Sequence, residues 1–94
     1  MGSGRMIDIS ELQRLIDHER SFRIGARGIC IDCLKPKDNM CWSVSVPRAG
    51  MRSLNCDSIE YCPEDNTLVC GVECGYVASF QFDLNMYSKI TVIE

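Results

Sequence analysis

From Ser21 onward the apolar residues come in short runs, each closed by a knot of turn-forming residues. Runs of that length suit strands, not helices, and their frequent interruption favours antiparallel neighbours joined by tight turns. Ser21 to Ala26 alternates, with Phe22, Ile24 and Ala26 on one face and Arg23 on the other. Gly25 and Gly28 suggest a bulge or bend there. Ile29 to Leu34 is a mostly apolar run, and Lys35-Pro36-Lys37-Asp38-Asn39 is a strong turn. Met40 to Val46 resumes with Trp42, Val44 and Val46 in step, and Pro47 to Asn55 reads as a loop. Ser58 to Cys62 and Thr67 to Val72 flank the turn Pro63-Glu64-Asp65-Asn66, and Glu73 to Gly75 turns the chain again. Tyr76 to Leu84 and Lys89 to Ile93 are the last two strands, separated by a turn at Asn85 to Ser88.

Ahead of the strands lies one helix. Asp8 and Glu11 have capping-box spacing, with Ile7 and Leu12 placed to staple across it. Ile9, Leu12, Leu15 and Ile16 then form one apolar stripe at helical period, which predicts a helix from about Ile9 to Glu19. A helix this short is not stable alone in water, so its stripe must pack on the sheet, over Trp42, Val44, Phe80 or Phe82. The expected fold is α+β: an N-terminal helix packed on a six- to seven-stranded, mainly antiparallel sheet or partly open barrel.

The segment Ser58-Ile59-Glu60-Tyr61-Cys62-Pro63-Glu64-Asp65-Asn66, with Leu68-Val69-Cys70-Gly71 and Gly75-Tyr76-Val77 through Phe82-Asp83, resembles one blade of a WD-type propeller. A propeller needs at least about four blades of about 40 residues. The 94 residues here supply two at most, so the resemblance reflects tight-turned meander chemistry.

Residues 1–5 read as an expression scar and residues 6–94 as a single globular domain. No apolar run approaches the roughly 20 residues needed to span a bilayer, and no secretory leader is visible, so a soluble, cytoplasmic protein is expected. The net charge of −3 argues against nucleic-acid binding. That average conceals two poles. Residues 1–52 carry nine Lys/Arg against six Asp/Glu, and residues 53–94 carry one against seven. Opposite poles can steer a partner or set one copy against another.

Seven cysteines are the most unusual feature of the composition. An odd number without a leader disfavours a disulfide framework, so free, mostly buried thiols are expected. Cys30 and Cys33 make a CxxC pair, and Cys70 and Cys74 a CxxxC pair; together they hold four thiolates, the number a tetrahedral zinc requires. Against this, Ile31 and Asp32 do not make the tight turn of a zinc knuckle, and strand geometry sends Cys30 and Cys33 to opposite faces. The primary reading is no metal and no cofactor, with Cys30, Cys33, Cys70 and Cys74 as the alternative.

Arg14, Arg20, Arg23 and Arg27 run from the helix into the first strands and are the candidate binding residues, with Arg48 and Arg52 as possible additions to the same patch. Guanidinium groups clustered on one surface recognise phosphate or carboxylate bidentately. His18, the only histidine, is expected to cap the helix C-terminus. The carboxylate pairs Asp17/Glu19 and Glu64/Asp65 belong to a polar helix face and a turn, not to acid–base chemistry.

The last strand is apolar on both faces, with Ile90 and Val92 on one and Ile93 with Thr91 on the other. A half-exposed strand should alternate, so Ile90, Val92 and Ile93 are the expected interface. The expected function is a small non-enzymatic module acting by protein–protein contact or self-association, as a homodimer. The alternative is a small domain binding a metal or an anionic ligand through the cysteines or the arginines. No enzyme is expected, because no nucleophile, base and orienting group can be assembled.

Overall fold

The computed structural model describes residues 7–38, 40–47, 50–72 and 79–93, with backbone alone for 51, 52, 72, 79 and 80. Helix α1 spans Ile9–Asp17, and the strands are β1 Phe22–Ala26, β2 Ile29–Leu34, β3 Trp42–Val46, β4 Met51–Cys62, β5 Thr67–Val72, β6 Ser79–Asp83 and β7 Lys89–Val92. One antiparallel sheet holds all seven in the order β6-β5-β4-β3-β2-β1-β7, giving the expected α+β fold. The turn expected at Glu73 to Gly75 lies outside the described residues, as do residues 76–78 of the expected sixth strand.

The helix starts where its chemistry places it. Asp8 is the N-cap and its carboxylate accepts from the Glu11 amide at 3.3 Å. The reciprocal half of the capping box is absent, because the Glu11 carboxylate turns instead to the Arg14 guanidinium at 2.7 Å. The helix ends two residues before the expected Glu19. His18 is the C-cap; the Glu19 amide donates to the Ile16 carbonyl and the Arg20 amide to the Leu15 carbonyl. These two bonds form a Schellman stop, with Glu19 at φ 55° in the left-handed position where glycine is the usual occupant.

Residues 51–55, expected to be loop, are the first half of a twelve-residue strand. Their strand character comes from pairing rather than from their own pattern: Met51, Leu54 and Asn55 lie opposite Val46, Val44 and Ser43. Between β3 and β4 the Gly50 amide donates to the Pro47 carbonyl, with Gly50 at φ 72°. Of the two glycines expected to mark a bulge or bend, Gly28 lies in the β1–β2 turn at φ 74°, while Gly25 pairs regularly with Cys30 and with Lys89. The irregularities fall elsewhere, between Val44 and Val46 and between Cys56 and Ser58.

The sheet is open, yet it cannot be flat. Its two edges, β6 and β7, are consecutive in the chain and joined only by Leu84 to Ser88. A flat sheet of seven strands would hold its edges about 29 Å apart. The chain from Asp83 to Lys89 reaches about 20 Å at most. The sheet must therefore bend so that its two edges approach each other. β4 serves the bend by changing partners along its length, pairing with β3 up to Cys56 and with β5 from there on, across the second bulge.

The core fills the inside of the curl. Phe22, Ile24, Ile31, Cys33, Val44, Cys56, Leu68 and Cys70 are fully buried, with Trp42 and Ile59 nearly so. Ile7, Leu12 and Leu15 enter the same cluster from the helix side, while Ile9, Ile16 and Phe82 pack against it half-buried. The helix stripe is therefore buried in one cluster with Trp42 and Val44, and α1 meets the sheet at β4; the Phe80 side chain lies outside the described residues.

Candidate functional site

The four arginines do not form one patch. Arg14 is bound to Glu11 on its own helix, at 2.7 and 2.8 Å. Arg23 grips Asp32 across the β1–β2 ladder with two bonds, Nε at 2.6 Å and Nη2 at 3.2 Å. Each carboxylate, through its hydrogen bond and then its charge, raises the pKa of its arginine. Arg23 faces away from the core on which α1 packs, since Phe22 and Ile24 on either side of it are buried. Arg20 is also engaged within the chain, and Arg27 is exposed at the β1–β2 turn. Arg48 and the Arg52 side chain lie outside the described residues.

The cysteines divide between two environments. Cys33, Cys56 and Cys70 are buried on the inner faces of β2, β4 and β5. Burial pushes all three thiols up, Cys70 to about 12 and Cys33 well above its ordinary range. Such groups are protonated small hydrophobes at neutral pH, not nucleophiles. Cys30, Cys41 and Cys62 are half-buried. Cys30 pairs with Gly25 three positions before Cys33, on the outer side of β2, so the CxxC pair is divided by the sheet. Among the described residues no group of three or more His, Cys, Asp or Glu is arranged to hold a metal ion, and Cys74 lies outside them.

Strand β7 is one of the two edges of the sheet. It pairs with β1 on one side and, among the described residues, has no neighbour on the other. The Ile93 amide donates to the Ser21 carbonyl at 2.9 Å, which sets the phase of the ladder. Thr91 therefore turns its backbone groups toward β1, and Ile90 and Val92 turn theirs to the open edge. The side chains of Ile90 and Val92 pack half-buried against the core, with Lys89 and Thr91 exposed. β7 thus alternates more cleanly than its composition suggests, Ile93 alone carrying apolar character past the pattern.

Two concavities accompany these features. A groove of about 400 Å³ on the outer face of β2, β1 and β7 is lined by Arg23, Gly25, Cys30, Lys89 and Thr91 among others. Its floor is Gly25, where an added Cβ would meet nothing within 4 Å. The larger cleft, about 620 Å³, lies between the end of α1 and the β2–β3 connection, lined by His18, Glu19, Lys35, Pro36, Lys37, Asp38 and Met40. Lys35, a turn residue by its sequence, is only 8% exposed in its side chain. Its ammonium lies 5.7 Å from the centre of the Trp42 ring and 3.3 Å from a Glu19 carboxylate oxygen. The one local signal was negative: the left-handed position after the helix cap holds Glu19 rather than glycine.

The chain was compared with protein-family models, with curated proteins and with solved structures, and none of the three comparisons yields a match. Among the described residues, no helix is long and apolar enough to cross a membrane.

Proposed function

We propose that this protein is a non-enzymatic interaction module that works by strand addition at β7, with a second copy of the chain as the occupant. The single observation that carries this reading is the open edge of Lys89–Val92, which presents the backbone groups of Ile90 and Val92 beside half-buried apolar side chains. Natural proteins blunt such edges with charge, proline or a bulge. β7 has one lysine, at its start, and a regular ladder with β1.

A two-fold axis through Thr91 makes the edge self-complementary. Ile90 of one copy then lies opposite Val92 of the other, so each pair exchanges its outward backbone bonds while the apolar side chains continue the core face. Lys89 falls opposite Ile93 rather than opposite its own equivalent, so the register sets no like charges against each other.

Light scattering during size-exclusion chromatography tests this at about 100 μM, a concentration that reveals affinities in the micromolar range. A dimer is expected. Val92→Pro removes an outward amide that the β1 ladder does not use, and Ile93→Asp places a charge in the contact. Both are expected to give monomers with an unchanged circular dichroism spectrum, while Thr91→Ser stays dimeric. A wild-type monomer at that concentration overturns the reading.

A further inference from the structure

We infer that the cleft between the end of α1 and the β2–β3 connection binds a small carboxylate ligand with an apolar body, Lys35 supplying the cation and Glu19 occupying its place in the empty protein.

A lysine is a costly residue to bury, because its ammonium loses hydration and has three protons to place. More than nine-tenths of the Lys35 side chain is buried, and among the described residues its one charged partner is Glu19. That partner is not a fixed one. The Glu19 side chain is 66% exposed, so it reaches the ammonium from the solvent side and can leave without disturbing the core. Trp42, 5% exposed, supports the ammonium from below through its ring face. The cation is therefore held in place from the protein side and closed on the cleft side by a single displaceable carboxylate.

The backbone at Glu19 adds a second, independent observation. This is the left-handed residue of the helix stop, at φ 55°, where glycine is favoured. A glutamate there carries a conformational cost that its own position does not repay. Its carboxylate on Lys35 is what the residue contributes.

The cleft around this pair has the size of a small-molecule site, about 620 Å³ against the usual range of roughly 300–1,000 Å³. Pro36 and Met40 line it with apolar surface, Met40 being 88% exposed, and His18 and Lys37 bring further hydrogen-bond donors. A ligand carboxylate takes the position of the Glu19 carboxylate, and its hydrocarbon part lies over Pro36 and Met40. The site is separate from the β7 edge, so either reading stands if the other falls.

Trp42 is the only tryptophan, so its emission reports on the ammonium beside it. The full chain is titrated with sodium hexanoate and, separately, with inorganic phosphate, following Trp42 fluorescence and amide correlation spectra. Hexanoate is expected to saturate in the millimolar range, with shifts concentrated at His18, Glu19 and Lys35. Glu19→Gly removes the internal competitor and suits the backbone, and is expected to tighten binding about tenfold, equivalent to about 1.4 kcal/mol. Lys35→Met, which keeps the stem on Trp42, is expected to abolish it. Absence of saturation in Glu19→Gly overturns the inference, as does unchanged binding in a folded Lys35→Met. Phosphate binding as tightly as hexanoate overturns the ligand class. Should Lys35→Met fail to fold, the Glu19→Gly titration decides alone.

Discussion

The Asn66 side-chain amide donates to the side-chain oxygen Oδ1 of Asn85 at 2.8 Å, joining the β4–β5 turn to the segment that carries the chain from one sheet edge to the other. The bond sits in a chain of polar contacts. Tyr61 donates to Asn66 at 2.8 Å, Asn85 donates to Asp83 at 2.9 Å, and the Leu84 amide donates to the Asn66 carbonyl at 3.0 Å. At the far end of the segment, the Ser88 amide reaches the Gly25 carbonyl of β1. The crossing between edges is thus fastened at both ends.

Asn66 also sits at φ 53°, a conformation asparagine tolerates better than most residues. Asn66→Gly keeps the backbone and loses the side-chain bonds, while Asn66→Ala loses both. Urea melts should show a loss of about 1–3 kcal/mol for Asn66→Gly and about 1 kcal/mol more for Asn66→Ala. Equal losses would mean that the left-handed backbone contributes nothing.

Leu12 is wholly buried in the cluster that α1 shares with the sheet. Leu12→Ala should cost about 2–5 kcal/mol in denaturant melts. A loss below about 0.5 kcal/mol, the range typical of surface positions, would show that the helix is peripheral to stability.

The buried thiols set an alkaline limit. Cys70 is protonated up to about 12 in the folded chain, against an ordinary value of 9.0, with Cys56 and Cys33 raised in the same direction. The unfolded chain gives up these protons first, so the folded chain binds more of them above pH 9 and stability falls as pH rises. Denaturant midpoints are expected to hold up to about pH 9 and to decline from there toward pH 12. A midpoint unchanged from pH 8 to pH 11 would contradict this.

The same burial predicts an order of thiol reactivity. Under native conditions a thiol reagent should modify Cys30, Cys41 or Cys62 before Cys33, Cys56 or Cys70, which react only after unfolding. Peptide mapping after brief alkylation reads this directly. Early labelling of Cys33 would show that the inner face of β2 opens to solvent.

What the sequence makes legible is what short-range chemistry decides. Asp8, Ile9, Leu12 and Leu15 encode the helix start and its buried face within a few residues of one another. Gly28 encodes a bend and Pro63 to Asn66 a turn in the same way. The first half of β4 is different. Met51 to Asn55 has no alternation to mark it, and it is a strand because β3 lies beside it. Pairing across the sheet also decides that Arg23 is neutralised by Asp32, and that the four arginines are not one site. Lys35 was illegible for a related reason. In a turn sequence with proline, aspartate and a second lysine it reads as solvated, and only the approach of Trp42 and Glu19 buries it.

Every strand pairing but one joins neighbours in the chain; the exception is β1 with β7. During synthesis the first six strands can assemble in turn as they emerge, each on the one before. The outer side of β1 waits for Lys89 to Val92, which are made after all the others. Until they arrive the nascent sheet presents the Phe22–Ala26 edge, and any chain nearby with a matching strand competes for it. Docking of β7 removes that edge and replaces it with its own, so this step of sheet assembly moves the sticky margin from β1 to β7.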